Sequence, residues 1–170
     1  IRVNGTADGD KVEYSYDGGT TWSETLNQYT NVMAETTIKV RVINPNYSNV
    51  IEKEGTVEIT PFEMTVIANA ASKNFGETDP VWTASVAPTK DGTTKPNDGF
   101  DLTYSVSCSH EEAAGTYENA IVPTGAETQG NYKVTYVPAD FVINPIERPA
   151  YLNVTVGSYN EVYDAQAHTI

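Results

Sequence analysis

Apolar and polar residues alternate along most of this chain. Residues 11–16, 36–43, 55–59, 64–68, 82–86, 102–107, 116–122, 132–137, 141–143 and 152–156 show a two-residue period or β-branched enrichment. Both features mark strands. Ile38, Val40 and Val42 are predicted to face a core, with Lys39 and Arg41 in water. Tyr132, Val134 and Tyr136 alternate in the same way with Lys133, Thr135 and Val137. Trp82 alternates with Thr83 ahead of Ala84 and Val86, which predicts a buried tryptophan. Residues 68–72 and 111–114 are too short for stable helices. Turn clusters such as Ala7-Asp8-Gly9-Asp10, Asn44-Pro45-Asn46 and Gln129-Gly130-Asn131 separate the strands. Short strands at regular spacing predict an all-β chain built as a sandwich.

One boundary occurs twice. Val57-Glu58-Ile59-Thr60-Pro61 precedes Met64-Thr65-Val66-Ile67 and Lys73-Asn74-Phe75-Gly76. Phe141-Val142-Ile143-Asn144-Pro145 precedes Asn153-Val154-Thr155-Val156 and Glu161-Val162-Tyr163-Asp164. The two prolines, at 61 and 145, are 84 residues apart, and joining the end of the chain to its start gives a second interval of 86. The expectation is a tandem array of β-sandwich repeats arranged end to end. Residues 1–61 form a repeat lacking its opening strands, and 62–145 a complete sandwich. Residues 146–150 are a proline linker, and 151–170 are the opening strands of the next repeat, completing a unit of the 1–61 type. Pro145 and Pro149 preset φ and stiffen the joint, and Pro61 does the same at the first boundary. Leu152, Val154, Val156, Val162, Tyr163 and Ile170 are the expected strand interface between neighbouring copies, head to tail. That link is either a donated strand or, where Thr169-Ile170 continues into Ile1-Arg2-Val3, a covalent one.

Ten basic and 23 acidic residues give a net charge of −13, spread over the whole chain. With no basic patch, nucleic acid and anionic membrane surfaces are poor partners. No stretch is apolar enough for membrane insertion. Cys108, the one cysteine, lies in an alternating strand and cannot make an internal disulfide.

Residues 62–145 resemble the MBG domain, an immunoglobulin-like repeat of large bacterial surface proteins. Lys73, Phe75-Gly76-Glu77, Asp79-Pro80, Gly115-Thr116-Tyr117, Asn131-Tyr132 and the exit at 141–145 carry the resemblance. Phe75 stands where the family usually has Tyr. Tyr163-Asp164-Ala165-Gln166-Ala167-His168 is similar to the related Tyr-Asp-Gly opening, with Ala165 in place of Gly. The resemblance implies an extracellular spacer or adhesin repeat on a bacterial cell surface, without catalysis. Ser15-Tyr16-Asp17-Gly18-Gly19-Thr20-Thr21-Trp22 matches the Asp-box pattern of β-hairpins, which implies a structural turn.

No constellation of nucleophile, base and metal emerges. His110-Glu111-Glu112 begins like a zinc-protease motif but lacks the second histidine. His168 belongs to the opening pattern. Calcium is the one cofactor with candidate ligands, in two loops: Asp8 with Asp10, and Asp91 with Asp98 and Asp101, neither with EF-hand spacing. Lys39, Lys53 and Lys133 lie on or beside strands as isopeptide candidates, but the sequence pairs none of them with an Asn. Asn4, Asn46 and Asn153 sit in glycosylation sequons. The favoured reading is a structural stalk or fibre repeat whose partners are its neighbours. The alternative is an adhesin or carbohydrate-binding repeat that presents Trp22, Trp82 or tyrosines to a host or glycan ligand.

Overall fold

The computed structural model describes residues 3–149, 155, 157–158, 160 and 162–166. Among these residues no helix forms, and eleven strands make three sheets. β1 (Lys11–Ser15), β2 (Met33–Ile43) and β3 (Ile51–Ile59) form an antiparallel meander in the order β1-β2-β3. The remaining strands are β4 (Phe62–Ala68), β5 (Ala71–Asn74), β6 (Ala84–Pro88), β7 (Ser105–Cys108), β8 (Gly115–Thr124), β9 (Thr128–Gln129), β10 (Tyr132–Val137) and β11 (Ala139–Asn144). They build two four-stranded sheets, β6-β4-β10-β9 and β5-β11-β8-β7.

The opening run of the second unit is shared between both sheets. β4 lies parallel to β10, Met64 opposite Val134, and β5 lies parallel to β11, Lys73 opposite Ile143. The changeover falls at Asn69 and Ala70, where the Asn69 amide donates to the Thr83 carbonyl at 2.9 Å. The Asn69 side chain donates to Thr83 Oγ1 and accepts from the Ser85 hydroxyl, so the backbone leaves one ladder without orphaned polar groups. Alternation marks which face a residue takes, not which strand it joins. The parallel pairings and the two short strands β5 and β9 were therefore not read from sequence, and β6 starts two residues later than its pattern predicts.

Because β4 and β5 run the same way as β10 and β11, the second unit is threaded from one end to the other. Phe62 lies at the end where the chain arrives and Asn144, opposite Asn74, at the end where it leaves. From 62 to 74 the run covers about 40 Å at roughly 3.3 Å per residue. The core falls into two clusters of buried residues. Met64, Val66, Tyr132 and Val134 fill one part, and Ala68, Ile121, Phe141 and Ile143 the other. Phe100 stacks on Tyr132 at 5.4 Å, and Trp82 stands edge-on to Phe141 at 4.9 Å. Gly130, at φ +58°, makes the turn into β10 beneath the Phe100 ring, where a side chain would meet both strain and the ring.

The first sheet divides its faces as the alternation predicts. Arg41 pairs with Glu13 at 2.6 Å and Lys39 with Glu52 at 3.4 Å on the polar face. Val12, Tyr14, Val40, Val42, Ile51 and Val57 occupy the other face by register. Of the three core positions predicted in this sheet, Ile38 is buried and Val40 and Val42 are half-buried; Ile51, on the same face, is exposed.

Candidate functional site

Lys73 is the chemical centre of the second unit. Its side chain is 3% exposed, yet its ammonium donates to Asp79 Oδ1 at 2.7 Å and Glu112 Oε2 at 2.8 Å. His110 Nε2 lies 3.0 Å from the other oxygen of Asp79, and Nδ1 is 2.9 Å from the Glu111 carbonyl. Trp82, Tyr117 and Phe141 pack around the imidazole. The two carboxylates raise the Lys73 pKa, and Lys73 lowers that of Asp79, as hydrogen bonds to the charged forms must. The Glu111 carbonyl, helped by Asp79, raises the pKa of His110. Asp79, His110 and Glu112 have the donor types and proximity of a metal site. The Lys73 ammonium, however, already bridges the two carboxylates where a cation would sit, so this is an internal charge cluster. Sequence reasoning missed it, because a lysine in an alternating strand reads as solvent-facing.

The motif around Lys73 has a structural account. Gly76 turns the chain at φ +85°, and Glu77 accepts the Asn74 amide at 2.8 Å. The Phe75 amide donates to the Asn144 carbonyl at 2.9 Å, and Asp79 reaches back to Lys73. At the opposite end Tyr132 donates its hydroxyl to Asp98 at 2.6 Å, holding the Asp98 pKa down to about 2. Lys95 pairs with the same carboxylate and lies over the Tyr132 ring.

The Asp-box forms a closed hairpin. Asp17 accepts from the Thr20 and Thr21 amides and from the Ser15 and Thr21 hydroxyls, which hold its carboxyl well below the usual range. The Trp22 indole donates to the Gly19 carbonyl, and Arg41 lies 4.2 Å from its ring centre. Both tryptophans are therefore engaged within the protein rather than grouped on a surface.

The other candidates resolve individually. Asp10 accepts from the Ala7 amide and from Asn44, and Asp98 from Tyr132 and Phe100; both serve as turn braces. Burial raises the Cys108 pKa, away from a reactive thiolate. Lys39 and Lys133 pair with Glu52 and Glu63, and Lys53 lines the apolar groove of the first sheet. Of the expected strand interface, Leu152, Val154, Val156 and Ile170 lie outside the described residues. Val162 and Tyr163 are 86% and 91% exposed.

The apolar face of the first sheet carries a groove of about 330 Å³, lined by Val3, Val40, Val42, Ile51 and Lys53 among others. Among the described residues β3 pairs only with β2, and none of them pairs with its other edge. Asn131, in the turn before β10, joins the units: it accepts the Val32 amide at 2.9 Å and the Phe62 amide through its carbonyl, and donates to Asn31.

Two four-stranded sheets packed face to face and braced by internal charge pairs define an all-β sandwich domain. Residues 64–142 match the family described as MBG domain (YGX type). No curated protein and no solved structure matches the chain.

Proposed function

We propose that this chain is a structural repeat unit of a long extracellular bacterial surface protein, a non-catalytic segment of a stalk or fibre. The MBG domain points to a repeat domain of surface proteins. The observation that carries the stalk reading is the pairing of the second unit's opening strands with its closing strands in parallel. Tension applied through 62 and 144 pulls those strands past each other. Their hydrogen bonds are then loaded together in shear rather than opened one at a time, and the two points of attachment lie at opposite ends. Units joined this way in series, with short proline joints, make an extended rod whose partners are its own neighbours, head to tail.

Single-molecule pulling through the two ends tests this reading. The expected trace has one high-force rupture assigned to the 62–144 sandwich. Rupture at the low force of strand-by-strand opening would contradict it. The adhesin reading calls for a ligand platform, and the internal engagement of Trp22 and Trp82 weighs against an aromatic one.

A further inference from the structure

The two units end alike but finish their sheets differently. An offset of 84 places Val57, Ile59 and Pro61 on Phe141, Ile143 and Pro145. In the second unit β11 has β8 on one side and β5, in parallel, on the other. In the first unit β3 has β2 on one side and nothing described on the other, and it is exposed from Ile51 to Thr56. A strand edge nine residues long beside an open apolar face is a template for strand addition.

The chain carries a matching strand. An offset of 88 places Leu152, Val154 and Val156 on Met64, Val66 and Ala68, the inward residues of β4. The same offset places Tyr159, Asn160, Glu161 and Val162 on Ala71, Ser72, Lys73 and Asn74, which are β5, and Tyr163 on Phe75. Each inward residue of β4 thus has an apolar counterpart. Only at Lys73, where Glu161 falls, does the charge reverse.

We infer that the open edge of β3 takes a parallel strand formed by residues 159–163 of a second copy of this chain. Tyr159 lies opposite Val57, Asn160 opposite Glu58, Glu161 opposite Ile59 and Val162 opposite Thr60, with the Tyr163 amide donating to the Thr60 carbonyl. Leu152, Val154 and Val156 then run over the apolar face that holds Val40, Val42 and Ile51. This inference rests on the repeat reading above and names the surface through which neighbours meet.

Reach selects a second copy over the chain's own tail. Asn144 and Phe62 lie at opposite ends of the sandwich, about 40 Å apart. A returning tail would have to cover that length, pass Thr60 as far as Val57, and reverse to run parallel to β3. The fifteen residues from Asn144 to Tyr159 extend to about 50 Å at most, which leaves too little for the overshoot and the reversal.

Cysteine pairing in the full chain tests the register. In a Cys108→Ser background, Glu58→Cys with Asn160→Cys places two thiols on adjacent parallel strands at matched positions. Glu58→Cys with Val162→Cys is the offset control on the same face. Under mild oxidation the matched pair should give at least about tenfold more chain-to-chain disulfide than the control, because disulfides require closely spaced Cα atoms. Its yield should rise with protein concentration. Mixing chains that carry Glu58→Cys alone with chains that carry Asn160→Cys alone should give the mixed dimer. Equal yields from matched and control pairs would overturn the strand addition. A concentration-independent disulfide within one chain would overturn the second copy as its source. Neither result touches the stalk reading, which stands or falls on the pulling experiment.

Discussion

β3 and β11 leave their units by the same step, an alternating strand that ends in proline, yet their surroundings are opposite. Phe141 and Ile143 on β11 are 0% and 1% exposed, held between two neighbouring strands and under a second sheet. Val57 and Ile59 on β3 are half-buried, with one neighbouring strand among the described residues. The last two inward positions, Val57 and Ile59 on β3 and Phe141 and Ile143 on β11, are apolar in both. What differs is whether another layer covers the face and another strand covers the edge. Sequence periodicity thus prepares a surface for burial, and the number of strands at hand decides whether burial happens.

The widest test of this contrast uses one residue type at both positions. Ile143→Ala should destabilise the sandwich by about 3–4 kcal/mol, as for a fully buried isoleucine, and Ile59→Ala the first unit by only about 1 kcal/mol. Urea unfolding, followed by separate probes for each unit, reads both values; equal losses would break the comparison. Trp82→Ala should cost the sandwich about 2–3 kcal/mol, since the half-buried indole packs edge-on to Phe141, and leave the first unit's transition in place.

The charge cluster sharpens the contrast through pH. The folded state raises the His110 pKa above its ordinary 6.5, so that contribution is complete below pH 6.5 and fades as pH rises through the folded value. The Asp79 pKa is lowered from 3.8, so its contribution is present above that pH and fades as pH falls through the folded value. The sandwich should therefore be most stable between about pH 4 and 6.5. Asp10 and Asp17 give the first unit an acid limb of the same sign, but it has no counterpart of the histidine limb. Thermal melts across pH 3–9 check this, and His110→Gln should remove the upper limb and weaken the acid limb, since His110 also helps to hold the Asp79 pKa down. The smallest effect is expected at the junction. Asn131→Ala should leave both unfolding transitions nearly unchanged while loosening the orientation of one unit against the other, measured by residual dipolar couplings.

Much of the fold was legible in the chain. Alternation located nine of the eleven strands, because a half-buried strand shows its two faces directly. The inward faces of Ile38, Tyr132 and Val134 followed from the same rule. Partnership was not legible. Nothing in residues 62–74 announces that one extended run serves two sheets, since that depends on Asn69 meeting Thr83 and Ser85 across the fold. β9 is two residues long and leaves no periodic trace. Lys73 looked solvated because its stabilising carboxylates are six and 39 positions away. The repeat of the Pro61 boundary at Pro145 was the clearest long-range signal, and it led to β3 and its open edge.

Residue-resolved amide hydrogen exchange on the dilute full chain, comparing β3 with β11, tests the central claim most directly. β11 amides should exchange only through global unfolding of the sandwich. β3 amides directed away from β2 should exchange rapidly in dilute solution and gain protection as the concentration of the chain is raised. Equal, concentration-independent protection along both strands would contradict the account.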